Sequence, residues 1–149
     1  MSIRVLLLSG VIAAAGAGLA PAAQARDTIV NITLESVLEM PEAKANLDGS
    51  VRFFLAGAPT PAIERTLGSD VSNKKTSGVG KTDEFGCRWA ALAALEAFQK
   101  QAKAQGANAV VDLVSYYKKN EVRDPHTLQC HAGGVVIGVA LKGNYAKVK

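Results

Sequence analysis

The chain contains two cysteines, Cys87 and Cys130, and therefore allows a single intramolecular disulfide. A bond between them would close a long loop and would hold two distant segments together in any fold that the chain adopts. Two other interpretations remain open: a pair of free thiols, or a metal site that also uses His126 and His131. A zinc site requires a fuller ligand set than these residues offer, so the disulfide is preferred if the chain reaches an oxidising compartment.

The N-terminal residues indicate such a compartment. Arg4 supplies positive charge, residues 5–20 are uncharged and mostly apolar, and residues 23–25 have the small-x-small pattern of a signal-peptidase site. The apolar run is shorter than the roughly 20 residues that span a bilayer. We therefore predict that residues 1–25 are a signal peptide and that the product is a soluble periplasmic protein. Because the first cysteine is Cys87, lipid anchoring through an N-terminal thiol is not expected.

The charge of the chain limits its expected partners. The formal net charge is +4 and the sequence pI is about 9.2, which favours mild attraction to anionic surfaces such as lipid headgroups. The basic residues are dispersed, with Lys74-Lys75 and Lys118-Lys119 as short pairs rather than a dense patch. Nucleic acid is therefore not an expected partner of this exported chain.

Apolar periodicity predicts four strands and one helix in the order β-β-α-β-β. The predicted strands are Thr28–Leu34, Ser50–Ala56, Asn108–Tyr117 and Gly133–Lys142. This order is typical of an α+β domain in which one helix covers one face of an antiparallel sheet. We predict a single domain over residues 26–149, with about four antiparallel strands, one long Ala-rich helix and one disulfide.

The helix is predicted over Gly86–Gln105, a segment rich in Ala, Leu, Glu and Lys that ends before Gly106. At helical spacing, one stripe of small and apolar side chains faces the sheet. That stripe comprises Cys87, Ala91, Ala94, Leu95, Phe98 and Ala102. In the last predicted strand, Gly138 and Ala140 leave space for a close neighbour, and we assign that face of the sheet to the helix.

Residues 65–85 are polar and rich in Gly, Ser, Thr and Lys, which predicts a long flexible loop. Within it, the Gly-Lys-Thr sequence at residues 80–82 resembles the end of a nucleotide-binding P-loop. Lys75 occupies the position that the first P-loop glycine requires, and an Asp-Glu pair follows where the phosphates would bind. Nucleotide binding is therefore not predicted.

Two groups of side chains are candidates for an interaction surface. Trp89 lies on the helix face opposite the apolar stripe, where it either packs beneath the 65–85 loop or anchors a partner. Tyr116, Tyr117, Lys118 and Lys119 form an aromatic-basic run at the end of a strand. This run is either an ordinary solvated edge or a contact for an anionic glycan or lipid headgroup.

The residues that usually support catalysis or metal binding are sparse. The sequence lacks a G-x-S-x-G element, and the cysteine beside the two histidines is expected to be oxidised. If Cys130 forms a disulfide, His126 and His131 remain as weak metal candidates. We expect no enzyme activity and no bound cofactor.

Several short elements between residues 67 and 141 occur in a distinctive order. They are Leu67-Gly68, Cys87 at the helix start, Ala-Asn-Ala-Val at 107–110, Cys130, and Ile-Gly-Val-Ala-Leu at 137–141. In this order the chain resembles the folded domain of RcsF-type envelope-stress sensors and the wider YbjQ-like group. The resemblance implies the fold, a Cys87–Cys130 disulfide and a role at the envelope. RcsF-type sensors also carry an N-terminal lipid-anchor cysteine and a second disulfide, which this chain lacks.

The chain is also similar to exported proteobacterial proteins that sometimes carry the label "excinuclease ATPase subunit". The missing P-loop glycine argues against that label. From the sequence we predict a non-enzymatic periplasmic interaction module, related to envelope stress, whose partner is an envelope protein or an anionic envelope surface. The alternative is a periplasmic protein that binds a small ligand or a metal.

Overall fold

The computed structural model describes residues 25–149, so the predicted signal peptide lies outside the described residues except for Ala25. In chain order the strands and helices are β1 Thr28–Thr33, α1 Leu34–Leu38, α2 Pro41–Asn46, β2 Arg52–Leu55, β3 Ile63–Ser77, α3 Asp83–Ala104, β4 Ala109–Ser115, a 3₁₀ turn Tyr117–Lys119, β5 Thr127–Ala132 and β6 Val136–Val148. None of the helices within residues 25–149 is long and apolar enough to cross a membrane.

The six strands form one mixed sheet, so the prediction of an antiparallel sheet of about four strands is wrong. One edge of β6 pairs antiparallel with β3 along its whole length. The other edge of β6 pairs first with β5, at residues 137–138, and then with β4, at residues 141–146. β1 extends the sheet beyond β5, and β2 extends it beyond β4. On this side of β6 the sheet therefore divides into two arms, one formed by β5 and β1 and the other by β4 and β2.

The parallel pair β2–β4 follows from the connection between the two strands. The chain leaves β2, forms β3 and α3, and returns beside β2 as β4. Parallel neighbours require such a long crossover, which usually contains a helix, and α3 lies in this connection. The predicted β-β-α-β-β order contains the same helix between its second and third strands and is compatible with this parallel pair, so the assumption that all neighbouring strands are antiparallel is wrong.

The polar segment that contains β3 is an edge strand over much of its length, not the flexible loop predicted for residues 65–85. Ile63–Ser77 pairs with β6 residue by residue, with irregularities near its start. Polar and charged side chains suit an exposed sheet edge because they oppose unwanted strand pairing, and this composition hides the strand in the sequence. Residues 78–82 make the turn into α3, where Thr82 caps the helix by accepting a hydrogen bond from the Phe85 N–H at 3.2 Å.

The long helix is confirmed, and its core-facing stripe is the predicted one. α3 begins three residues before the predicted start, and all six predicted stripe residues are buried. The helix covers the face of β6 that carries Ile137, Val139 and Leu141. It does not cover the Gly138 and Ala140 face, so that assignment is wrong. A sheet face with large aliphatic side chains buries more apolar area against a helix than a face of Gly and Ala.

The disulfide is confirmed. Cys87 and Cys130 are bonded with their Cα atoms 5.7 Å apart, and both residues are fully buried. Cys87 lies in the second turn of α3, whereas Cys130 lies in the middle of β5. The bond therefore ties the helix to one of the two arms of the sheet.

The buried Tyr145 should make the stability of the fold depend on pH. Its ring is buried against Phe98, with ring centroids 6.0 Å apart, and its O–H donates to Asp70 Oδ2 at 3.0 Å. Burial, together with the hydrogen bond to Asp70, raises the pKa of Tyr145 above its ordinary value of 10.0.

The neutral Tyr145 phenol therefore contributes its full stabilisation below pH 10. This contribution is lost as the pH rises further, because above pH 10 the tyrosine ionises in the unfolded chain before it ionises in the folded protein. We expect the free energy of unfolding of the wild type to fall more steeply above pH 10 than that of Tyr145→Phe. Urea unfolding at a series of pH values from about 8 to about 11 measures this difference. Parallel curves for the two proteins would contradict the buried, neutral phenol.

Candidate functional site

The aromatic-basic run lies where the chain leaves β4. The Tyr116 N–H donates to the Ala140 carbonyl at 2.8 Å, which keeps this tyrosine against β6. Lys118 and Lys119 both adopt left-handed backbone conformations, with φ of 51° and 63°. Such a conformation costs a non-glycine residue roughly 1 kcal/mol, and this kind of strain concentrates at functional positions. The turn reverses the chain and lays Tyr117 over β5.

Tyr117 packs face to face on a histidine of β5. The ring centroids of Tyr117 and His131 are 3.5 Å apart and the planes are inclined by 15°. His131 Nδ1 lies 3.0 Å from Asp27 Oδ1, which orients the imidazole. The Lys118 ammonium lies 5.4 Å from the centroid of the Tyr117 ring, within the range of a cation–π contact. The stack is therefore held by contacts from the segment before β1, from β5 and from the 3₁₀ turn at once.

This stack forms one wall of an open cavity of about 530 Å³. The lining also includes the start of β6 and the end of β3, where Lys75 pairs with Gly138 in the β3–β6 register. We call Lys75, Tyr117, Lys118 and His131 the aromatic-basic cluster. Two of its members, Tyr117 and Lys118, belong to the run that the sequence singles out.

The lining of the cavity carries more positive than negative side chains. Its charged lining residues are Arg26, Asp27, Lys75 and Lys118. Arg26 is already engaged, because it donates to both carboxylate oxygens of Asp83 at 2.6 and 3.0 Å and to the Gly133 carbonyl at 2.8 Å.

The Arg26 hydrogen bonds hold the pKa of Asp83 below its ordinary value, so this pair stays fully charged and matched at neutral pH. Asp27 is likewise engaged by His131. Within residues 25–149, Lys75 and Lys118 form no ion pair. These two ammonium groups are therefore available to a negatively charged ligand.

The remaining residues of the predicted interaction surface lie around or apart from the cavity. Tyr116 is not among the described residues that line the cavity, and the Lys142 ammonium lies 5.2 Å from its ring centroid. Lys119 is exposed in the same turn but is not among the described residues that line the cavity. Trp89 is half-buried on α3, where it packs against the core and meets Phe85 edge-on at 6.2 Å. Trp89 is not part of the cavity lining either.

The structure separates the two histidines that the sequence suggests as metal ligands. His126 precedes β5, whereas His131 is its fifth residue, so the two positions are roughly 16 Å apart along an extended chain. Cys130 is consumed by the disulfide. Across residues 25–149, no group of three or more His, Cys, Asp or Glu side chains is placed to hold a metal ion. The arrangement offers no support for the metal hypothesis.

His131 and Asp27 correspond to the base and the acid of a hydrolytic triad, but a nucleophile is missing from the described lining of the cavity. No Ser, Thr or Cys is among the described residues that line the cavity. The Gly-Lys-Thr sequence at residues 80–82 likewise serves the fold, since Lys81 Nζ donates to Thr76 Oγ1 at 3.3 Å and Thr82 caps α3. The chemistry that this site offers is ionic and aromatic binding.

Sequence reasoning finds half of the aromatic-basic cluster. It places Lys75 in a loop, whereas the position of this lysine in the cavity follows from the β3–β6 register, which pairs Lys75 with Gly138. It suggests His131 only as a metal ligand. The alternation of His131 with Cys130 on β5 is the available signal, because neighbouring strand residues face opposite sides and a buried Cys130 turns His131 outward.

The chain matches no family model, no curated protein and no solved structure. The likeness to RcsF-type sensors and the YbjQ-like group therefore stays a prediction, as does the periplasmic location.

Proposed function

We propose that this chain is an exported, non-enzymatic interaction module, and that its aromatic-basic cluster binds an anionic group on a component of the bacterial envelope. The observation that carries the proposal is the cavity of about 530 Å³, in which a stacked Tyr117–His131 pair stands beside two lysines that lack an ion-pair partner among the described residues. Ammonium groups attract phosphates and carboxylates, and flat aromatic faces pack against sugar rings and other apolar ligand surfaces.

Three further features support this role. The strained turn at Lys118 and Lys119 is held in place by contacts on both sides, as expected where a surface is preorganised for binding. The net charge of +4 attracts the chain to anionic surfaces in general. The predicted signal peptide and the confirmed disulfide both fit an oxidising compartment.

The proposal favours an anionic lipid headgroup or glycan over a free metal or a nucleotide. The cavity is open to solvent on one side, so a group that projects from a larger surface can enter it. A small soluble anion of matching size is the second candidate ligand for the same cavity, and competition with inorganic phosphate in a vesicle-binding assay distinguishes the two. The relation to envelope-stress signalling is part of the proposal, and deletion of the gene is expected to change the output of an envelope-stress reporter.

Charge reversal at Lys118 tests the cluster. Each basic residue near an anionic membrane contributes about 1 kcal/mol, so Lys118→Glu, which removes one attraction and adds one repulsion, is expected to weaken binding about thirtyfold. The measurement is co-sedimentation of the purified protein with vesicles of phosphatidylglycerol and phosphatidylcholine, compared with phosphatidylcholine alone.

Lys100→Glu is the matched control, because it makes the same change in net charge on the exposed face of α3. It is expected to lower binding by less than a factor of three. Equal losses in the two variants would mean that only net charge matters, and the proposed cluster would be wrong. Tyr117→Ala, checked for folding by circular dichroism, should also weaken binding while leaving the net charge unchanged.

A further inference from the structure

A second concave site lies on the arm of the sheet that β4 and β2 form, between α2 and β2. It is an open groove of about 460 Å³. Its lining is mostly apolar and includes Leu38, Ala43, Leu47, Val51 and Phe53. No residue of the aromatic-basic cluster lines this groove, so binding there is independent of the function proposed for the cluster.

The groove runs along the free edge of β2. Phe53 and Phe54 both line it, and because successive strand residues face opposite sides of a sheet, a groove touched by both must follow the edge of the strand. β2 is the last strand in the sheet order, with β4 on its other side. The floor of the groove is thus a strand edge that has no neighbouring strand among the described residues.

The hydrogen bonds of β2 show which backbone groups point to its free edge. The N–H groups of Arg52 and Ala56 donate toward β4, to the carbonyls of Asn108 and Leu113, each at 3.0 Å. Backbone N–H groups alternate in direction along a strand, so those of Phe53 and Leu55 point to the opposite, free edge. An incoming extended chain can accept hydrogen bonds from both.

The wall of the groove formed by α2 and the following loop is fixed in place. The Gln99 side chain, buried on α3, accepts from the Asp48 N–H at 3.0 Å and donates to the Asn46 carbonyl at 3.1 Å. Lys103 forms an ion pair with Asp48 on the same loop. A groove whose wall is held by a buried side chain loses little entropy on binding a ligand.

The charged residues of the lining are both cations. Lys44 is exposed on α2, and Arg52 begins β2, where it also donates to the main-chain oxygen of Lys149 at 2.9 Å. No carboxylate lines the groove within the described part of the chain. The electrostatics therefore favour an occupant that carries a negative charge near Lys44.

We propose that this groove binds an extended apolar peptide segment with a free carboxylate, which adds as a strand to the edge of β2. The N–H group of Phe53, which lines the groove, and that of Leu55, further along the same strand edge, pair with the peptide backbone, the apolar lining takes alternate side chains, and Lys44 binds the carboxylate. A fatty acyl chain would use the apolar lining and the cation but not the two N–H groups, so the strand edge favours a peptide.

The test is an NMR titration of the isotope-labelled, exported protein with a defined probe. The probe is the acetylated pentapeptide Ac-Thr-Val-Thr-Val-Leu with a free carboxylate, compared with its C-terminal amide and with laurate. We expect the carboxylate peptide to shift the groove resonances and to slow hydrogen exchange at the Phe53 and Leu55 N–H groups. The amide is expected to bind about tenfold more weakly.

Two variants sharpen the result. Lys44→Glu is expected to reduce peptide affinity at least tenfold, whereas Lys81→Glu, an equal charge change in the turn before α3, should leave it within a factor of two. No peptide binding up to millimolar concentration would overturn the proposal. Laurate binding without protection of the Phe53 and Leu55 N–H groups, in the absence of peptide binding, would assign the groove to acyl chains instead and would equally overturn it.

Discussion

Replacing both cysteines with alanine is expected to lower the free energy of unfolding by about 4 kcal/mol. The disulfide joins residues separated by 43 positions, and in the loop-entropy treatment such a cross-link restricts the unfolded chain by this amount. Both sulfur-bearing side chains are fully buried, so alanine leaves no unsatisfied polar group behind. Urea denaturation of Cys87→Ala/Cys130→Ala beside the oxidised wild type gives the difference directly.

The architecture of the sheet explains why this bond matters beyond its effect on the unfolded chain. β1 pairs with β5 over six residues, but β5 pairs with β6 only at His131–Gly138 and Ala132–Ile137. The β1–β5 arm is therefore joined to the centre of the sheet by a short ladder, by packing on α3 and by the disulfide. Without the bond, we expect hydrogen exchange to accelerate first in β1 and β5, while β6 and β4 stay protected.

A reduction experiment provides the control for the double variant. Wild-type protein unfolded in urea with a reductant should lose the bond and approach the stability of the variant, whereas the variant itself should not respond to the reductant. If the unreduced, unfolded wild type reacts with two equivalents of a thiol reagent, the bond is not formed in the cell, and the assignment of an oxidising compartment fails with it.

The sequence is informative wherever one side of an element faces the core. Val30 and Ile32 alternate with polar residues in β1, and the Ala-rich stripe of α3 is buried as predicted, because burial of one face imposes the period of the element on the sequence. The disulfide is predictable for a simpler reason, since two cysteines allow one pairing.

The sequence is misleading where no such constraint acts. β3 exposes most of its side chains to solvent. Its residues are therefore mostly polar, without the apolar alternation of a buried strand, and the segment has the composition of a loop. β5 carries the alternation of Leu128, Cys130 and Ala132, but it follows a charged, proline-containing connection that masks it. The place of Lys75 in the cavity depends on strand register, which is a property of two paired segments and is not encoded in either alone.

The side of the sheet that α3 covers is tested most directly by Phe98, which is 1% exposed and packs edge-on against Tyr145 of β6. Phe98→Ala removes this contact and leaves a cavity between helix and sheet, so we expect it to lower the free energy of unfolding by about 3–5 kcal/mol.

Phe85→Ala is the matched control for this substitution, because it makes the same chemical change on the same helix at a residue that is 39% exposed. Both variants remove the same side chain, and the sites differ chiefly in exposure, so the difference between them reports burial. We expect Phe85→Ala to cost less than about 1 kcal/mol. Urea denaturation of the two variants side by side measures both values. A loss below about 1 kcal/mol for Phe98→Ala, no larger than that for Phe85→Ala, would mean that Phe98 is not enclosed between α3 and β6.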